Sequence, residues 1–210
     1  MGAFAEGHVF EFDGGRPALE LVNTMGGLRG VRPNERLTAY PDLAFWALQL
    51  GLIDQRRMDA LLAAAQGHPR KAALALEEAV VAREALHDVV VATIESREPP
   101  APALEVVNAW IAEASSHRVL RPRSGGGFEG VFEDDGSLLA FLRPVAMDAA
   151  DLLERGLAEG RVRRCEQASA GRCGWFFLDE TRNHSRRWCN MKDCGNRAKQ
   201  RRHWLRQKEG

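Results

Sequence analysis

Cysteine is absent from the first 164 residues of this 210-residue chain, and all four, Cys165, Cys173, Cys189 and Cys194, fall within the next 30. A disulfide framework spread through the fold is therefore excluded. Long apolar runs are missing too: no stretch approaches the roughly 20 residues a membrane-spanning helix needs. The opening MGAFAEGHVFEFDGG has neither the basic n-region nor the apolar h-region of a secretory signal. A soluble, cytoplasmic chain with no membrane partner is the expectation, and in a reducing compartment clustered cysteines point to metal rather than disulfides. There is no internal repeat, no Gly-x-Ser-x-Gly, no His-Glu-x-x-His and no cysteine outside the cluster to act as a nucleophile. Gly125-Gly126-Gly127 lacks the Lys-Ser/Thr ending of a phosphate loop and reads as a turn. No enzyme is expected.

What is present is ordinary globular composition, 45% hydrophobic and 28% charged, with a formal net charge of zero. The neutrality conceals a split. Residues 161–210 hold 14 Lys and Arg against five Asp and Glu, a net of +9, so residues 1–160 carry −9. This marks two segments, a body over 1–160 and a basic module over 161–210 built to meet an anion. The body, holding the helical periodicity, is expected to fold without the module.

Within the body, Val9, Phe10 and Phe12 alternate as in a short strand, and Met25 to Glu35 reads as a loop. Helices are expected from Pro41 to Leu50, from an Asp54 cap through Ala65, from Pro69 toward Pro99-Pro100, and from about Ala103 to Ser115. The period then shortens. Val119-Leu120, Phe128 to Phe132 and Leu138 to Leu142 read as strands, with a hairpin turn at Asp134 to Ser137 and a short helix capped by Asp148 through Leu157. The fold class expected is mainly α with a small antiparallel β accessory. Asn23, Thr24 and Arg83 are the candidates for an effector pocket. The competing reading makes Arg83 a buried cation satisfied by a carboxylate such as Glu20 or by helix-end carbonyls.

In the basic module the spacing Cys165-x7-Cys173-x15-Cys189-x4-Cys194 suits two knuckles closing on one tetrahedral ion. Four thiolates leave no open position, so one structural Zn2+ per chain is expected, with His184 and His203 on the surface. Gly174 to Leu178 is β-prone and Gly195 to Gln207 can form a helix. Together they predict a zinc-knuckle, treble-clef-like finger of hairpin plus helix. Ala198 and Leu205 form a narrow stripe able to pack on the hairpin. Arg186, Arg187, Arg197, Lys199, Arg201 and Arg202 make the electrostatic footprint of a nucleic-acid binder, and Asn196 is expected to hold backbone amides as a cap.

The run Arg186-Arg187-Trp188-Cys189-Asn190-Met191 followed by Cys194-Gly195-Asn196-Arg197-Ala198-Lys199 resembles the CGNR zinc-finger family, as does Cys173 to Asp179. Leu19 to Thr24, Tyr40 to Trp46 with Gly51-Leu52, and Arg83 to Leu86 are similar to that finger's usual companion, the ABATE domain. The resemblance implies a bacterial stress-induced transcription regulator whose finger binds DNA. The seven-residue link Glu166 to Arg172 is longer than the family tends to have. Two other readings stay open: a finger that docks protein or RNA, and an enzyme with an unrecognised pocket in the body.

Overall fold

A computed structural model describes residues 9–157 and 159–209. The chain runs α1 (Pro17–Val22), β1 (Met25–Leu28), β2 (Arg32–Glu35), α2 (Tyr40–Gln49), α3 (Gln55–Gly67), α4 (Pro69–Ile94), α5 (Ala101–Ser116), β3 (Arg118–Pro122), β4 (Phe128–Phe132), α6 (Arg143–Asp151), β5 (Val162–Arg164), β6 (Phe176–Leu178) and α7 (Asn196–Glu209). The strands form three separate antiparallel pairs, β1–β2, β3–β4 and β5–β6. The mainly helical class with small antiparallel sheets is the observed one.

The helices begin and end where local chemistry directs. Asp54 accepts from the Arg57 amide at 2.7 Å and starts α3. Gly51, at φ +78, supplies the left-handed residue just after α2. Proline stands in the first turn of α4 and α5, where a missing N–H costs nothing. Long α4 is the spine: Ala75, Ala79, Leu86, Val89 and Val90 are buried against the core with Leu43 and Trp46 of α2.

Three local expectations are overturned. Residues 9–12 form no strand; Phe10 is buried, and its amide donates to Gln49 Oε1 at 2.9 Å instead of to a sheet partner. Met25 to Glu35 is a hairpin, not a loop. Gly27 permits it, since a Cβ there would lie 1.9 Å from the Arg32 carbonyl oxygen. Leu138 to Leu142 is no strand either. Asp134 and Asp135 accept from the Gly136 and Ser137 amides, and the chain turns into a 3-10 turn at Ala140–Leu142 and then α6. Phe141 and Leu142 are consecutive and both buried, which a half-buried strand cannot arrange.

Asp148 therefore lies inside α6, and a π turn over Leu152–Gly156 follows. It caps a different helix: its Oδ2 accepts from the Ala18 amide at 2.8 Å, while Arg16 bridges Asp148 and Asp151, each at 2.7 Å. That tertiary cap stabilises six-residue α1, which is too short to persist alone.

On α1, Glu20 is buried beside the Gly14-Gly15 turn, and its Oε1 accepts from the Gly15 amide at 2.9 Å. Burial raises its carboxyl from 4.5 to about 7, against the backbone hydrogen bonds of Gly15 and Gly14. A folded-state value above the unfolded one means that the fold holds the proton. This contribution is complete below about pH 4.5 and is lost as pH rises through about 7. Chemical denaturation of Glu20→Gln should thus show a stability on the order of 3 kcal/mol less dependent on pH between these limits. An unchanged pH slope would refute the assignment.

Candidate metal centre and basic surface

The finger is assembled on a strand pair. β5 and β6 pair with Val162 opposite Leu178 and Arg164 opposite Phe176. Cys165 follows β5, and its amide donates to the Trp175 carbonyl at 2.9 Å, which brings it alongside Cys173. The long link is taken up by a 3-10 turn, Glu166–Ala168, and by Gly171 at φ +69. Gln167 then donates to the Cys194 carbonyl at 3.1 Å, tying the first knuckle to the second.

The second knuckle is organised by two side chains. Buried Asp179 accepts from the Thr181 amide and hydroxyl and from the Arg186 amide. Its burial raises the carboxyl, but these hydrogen bonds, with Arg163 nearby, leave it lowered overall. Asn190 accepts from the Lys192 amide at 2.8 Å and starts the π turn Met191–Gly195, which carries Cys194 into α7. Asn196 is the first residue of α7 and does not cap amides: its Nδ2 donates to the Lys192 carbonyl at 2.9 Å. Asn190 holds the role expected of Asn196, because the turn precedes the helix.

All four cysteines are buried, and their sulfurs lie within 4.8 Å of one another. Cys189 Sγ is 3.7 Å from both Cys173 Sγ and Cys194 Sγ. A disulfide needs about 2.05 Å, and none is formed. Four thiolates each about 2.3 Å from one ion would sit about 3.8 Å apart along the edges of a tetrahedron. The donor set therefore fits a single structural zinc, which Cys165, Cys173, Cys189 and Cys194 would hold. Zinc bound there would supply folding energy and no open coordination position. His184 lies outside the cluster, its Nδ1 3.2 Å from the Asp179 carbonyl, and His203 is exposed.

The cations separate into two kinds. Arg186 is half-buried and internally committed: it lies over the Phe177 ring at 4.4 Å and donates to the carbonyls of Asp13 (2.8 Å), Trp188 (3.1 Å), Leu178 (3.3 Å) and Cys189. Arg187 is exposed but paired with Glu166 and stacked over Trp188 at 5.0 Å. Arg197 pairs with Asp193 at 2.7 Å one turn back. Lys199, Arg201 and Arg202 are exposed and form no ion pair among the described residues. The Ala198–Leu205 stripe does not pack on the hairpin, since Leu205 is 41% and Trp204 53% exposed. Among the described residues of α7 none is buried.

Of the three body candidates, Thr24 and Arg83 come together in an ion-paired cluster, which the Asn23 side chain does not join. Arg83 is buried, its Nη1 and Nη2 on Glu35 at 2.7 and 2.6 Å, its Nε on Glu84 at 2.7 Å, and its Nη1 also 3.2 Å from Thr24 Oγ1. Burial tends to raise the Glu35 carboxyl, yet the Arg83 hydrogen bonds leave it lowered. The partners are Glu35 and Glu84, not Glu20. Asn23 is turned elsewhere: its Nδ2 donates to the Phe176 carbonyl at 2.8 Å and its Oδ1 accepts from the Phe176 amide at 2.9 Å.

Against this geometry, a family model described as "Putative stress-induced transcription regulator" (ABATE) matches residues 15–156, well over half the chain. The chain belongs to the ABATE family. A second model, the CGNR zinc finger, matches residues 161–207. No curated protein matches the sequence.

The ABATE segment and the CGNR finger are interlocked through β6. Besides the Asn23 clamp on Phe176, the Trp175 indole donates to the Met25 carbonyl at 3.2 Å, and the Leu178 amide to the Gly14 carbonyl at 2.8 Å. Phe176 belongs to the main core, with its ring 5.6 Å from that of His87. No helix among the described residues is long and apolar enough to cross a membrane.

Proposed function

We propose that this chain is a cytoplasmic transcription regulator in which a zinc-held finger presents α7 to the phosphates of DNA. The observation that carries the reading is the helix itself. α7 packs chiefly on the Met191–Gly195 turn and otherwise stands in solvent. It carries Arg197, Lys199, Arg201, Arg202, Arg206 and Lys208 within 14 residues. Arg197 with Arg201 and Arg202 with Arg206 are like charges four apart, which destabilise an isolated helix. So short a helix is already marginal in water. A polyanion removes the repulsion and gives the exposed cations partners.

Lys199, Arg201 and Arg202 are the proposed phosphate contacts, with Arg197 and Arg187 reaching phosphate only by exchanging Asp193 and Glu166. Arg186 is assigned to holding the finger on the body. The exposed Trp204 and Leu205 favour one second reading, a protein-docking face, because apolar side chains on a basic helix also suit an acidic amphipathic partner. Nothing in the site assigns catalysis.

A salt titration separates these readings. Arg201→Ala should weaken binding to every duplex and shallow the log–log salt slope by about one unit. Arg186→Ala should instead lower zinc retention with little direct change in slope. If Arg197→Ala, Arg201→Ala and Arg202→Ala combined leave binding to all nucleic acids unchanged, the docking reading replaces the DNA reading.

A further inference from the structure

A cleft of about 410 Å3 opens between the β1–β2 hairpin of the body and the cysteine loops of the finger. Its walls include Gly26, Gly27 and Glu35 from the body, and Arg172, Trp175 and Arg197 from the finger. Three of the four cysteines, Cys173, Cys189 and Cys194, also line it, whereas Cys165 does not. Exposure follows the same order: Cys173 is 8% exposed and Cys165 1%. The thiolates are thus shielded from macromolecules on all sides but open to a small solute on one.

We propose that Cys173 and Cys189 form a peroxide-reactive pair, with Cys173 the nucleophile reached from the cleft and Cys189, 3.7 Å away, the sulfur that resolves it. The Cys173 thiolate attacks one oxygen of hydrogen peroxide, the O–O bond breaks, and the hydroxide released takes a proton to become water. The Cys189 thiolate then displaces the second hydroxide from the sulfenic acid, which is likewise protonated, and the S–S bond forms. Two thiolates give up two electrons and one peroxide accepts them.

The chain's architecture makes this reaction selective in its effect. Each disulfide removes two of the four sulfur donors, so the metal site is lost. β6 stays in place, because its anchors are Asn23, the Phe176 side chain in the core and the Gly14 carbonyl, none of them a metal ligand. Among the described residues α7 itself has no comparable anchor: it packs on the turn that holds Cys194, and that turn reaches the body through Asn190 on Asp13. Oxidation therefore unlatches the basic helix and leaves the body folded. The consequence for DNA rests on the function proposed above, whereas the thiol chemistry does not.

The test uses the full-length, zinc-loaded protein prepared without oxygen and needs no cysteine variant, since removing a ligand would also remove the zinc that holds the finger. Hydrogen peroxide is added beside a chromogenic zinc chelator, with thiols trapped by alkylation and mapped by mass spectrometry. About one zinc per chain should appear in step with a Cys173–Cys189 disulfide. Cys165 should remain alkylatable, tryptic cleavage should be confined to the region after Trp188, and dithiothreitol with zinc should restore the starting state. Zinc retained at peroxide levels that oxidise a free cysteine peptide overturns the proposal. So does a first disulfide that includes Cys165 or Cys194. Duplex binding before and after oxidation is read separately: a reduced protein that binds no DNA defeats the DNA reading but leaves the disulfide map to decide this one.

Discussion

Replacing Phe176 with alanine should destabilise the whole chain by about 3–5 kcal/mol, the usual cost of deleting a buried phenyl group. That is a large part of the roughly 5–15 kcal/mol that holds a domain folded. Phe176 belongs by sequence to the finger, yet it is fully buried in the body's core. Its backbone is gripped on both polar groups by Asn23 at 2.8 and 2.9 Å. For the same reason a fragment ending at residue 160 should be molten or insoluble, with the Asn23 amide left unpaired in an apolar socket. The body is thus expected to depend on β6, contrary to the independence its helical periodicity suggested. Thermal unfolding of Phe176→Ala and of fragment 1–160 measures this. A fragment that melts as cooperatively and at the same temperature as the full chain would refute it.

Removing the metal should have a comparably large but differently distributed effect. Apparent zinc binding to a structural four-ligand site is on the order of 10 kcal/mol or more at pH 7. The knuckles have little apolar core of their own to replace it: the second hydrophobic cluster consists of the four cysteines, Trp175 and Phe177, with Trp188 against it. Each thiolate would hold one corner of the tetrahedron, so the loss of any one, Cys189 included, should empty the site. Cys189→Ala purified without added metal should carry close to no zinc, against one per chain in the unaltered protein. Chelation should expose α7 and the loop before it to protease while β6 remains protected by the body. Hydrogen exchange resolved along the sequence distinguishes these regions. If α7 keeps its protection after chelation, zinc does not hold the finger together.

The metal site was readable from sequence because its determinants are short-range. Four cysteines within 30 residues have few ways to avoid meeting, and thiolate chemistry names the ion they suit. The helices α2 to α5 were readable for a similar reason: prolines, Asp54 and Gly51 fix termini within one turn. Helix α1, the β1–β2 hairpin and the start of α6 were not. The first depends on Asp148, 130 residues away, for its cap. The second depends on Gly27 lying against the Arg32 carbonyl. The third depends on the core accepting Phe141 and Leu142 together.

The roles of the charged residues divide along the same line. Composition and patterning alone pointed to an acidic body followed by a basic finger with one four-thiolate site. They could not separate Arg186 from Arg201, because charge is a property of the residue while availability is a property of its surroundings. Folding commits Arg186 to four carbonyls and the Phe177 ring, and it closes Arg83 between Glu35 and Glu84. Lys199, Arg201 and Arg202 are left in solvent because α7 projects from the Met191–Gly195 turn, and its own Trp204 and Leu205 stay exposed instead of packing on the body. Desolvating a guanidinium requires partners drawn from distant parts of the chain. Only the tertiary structure could show which arginines had found them.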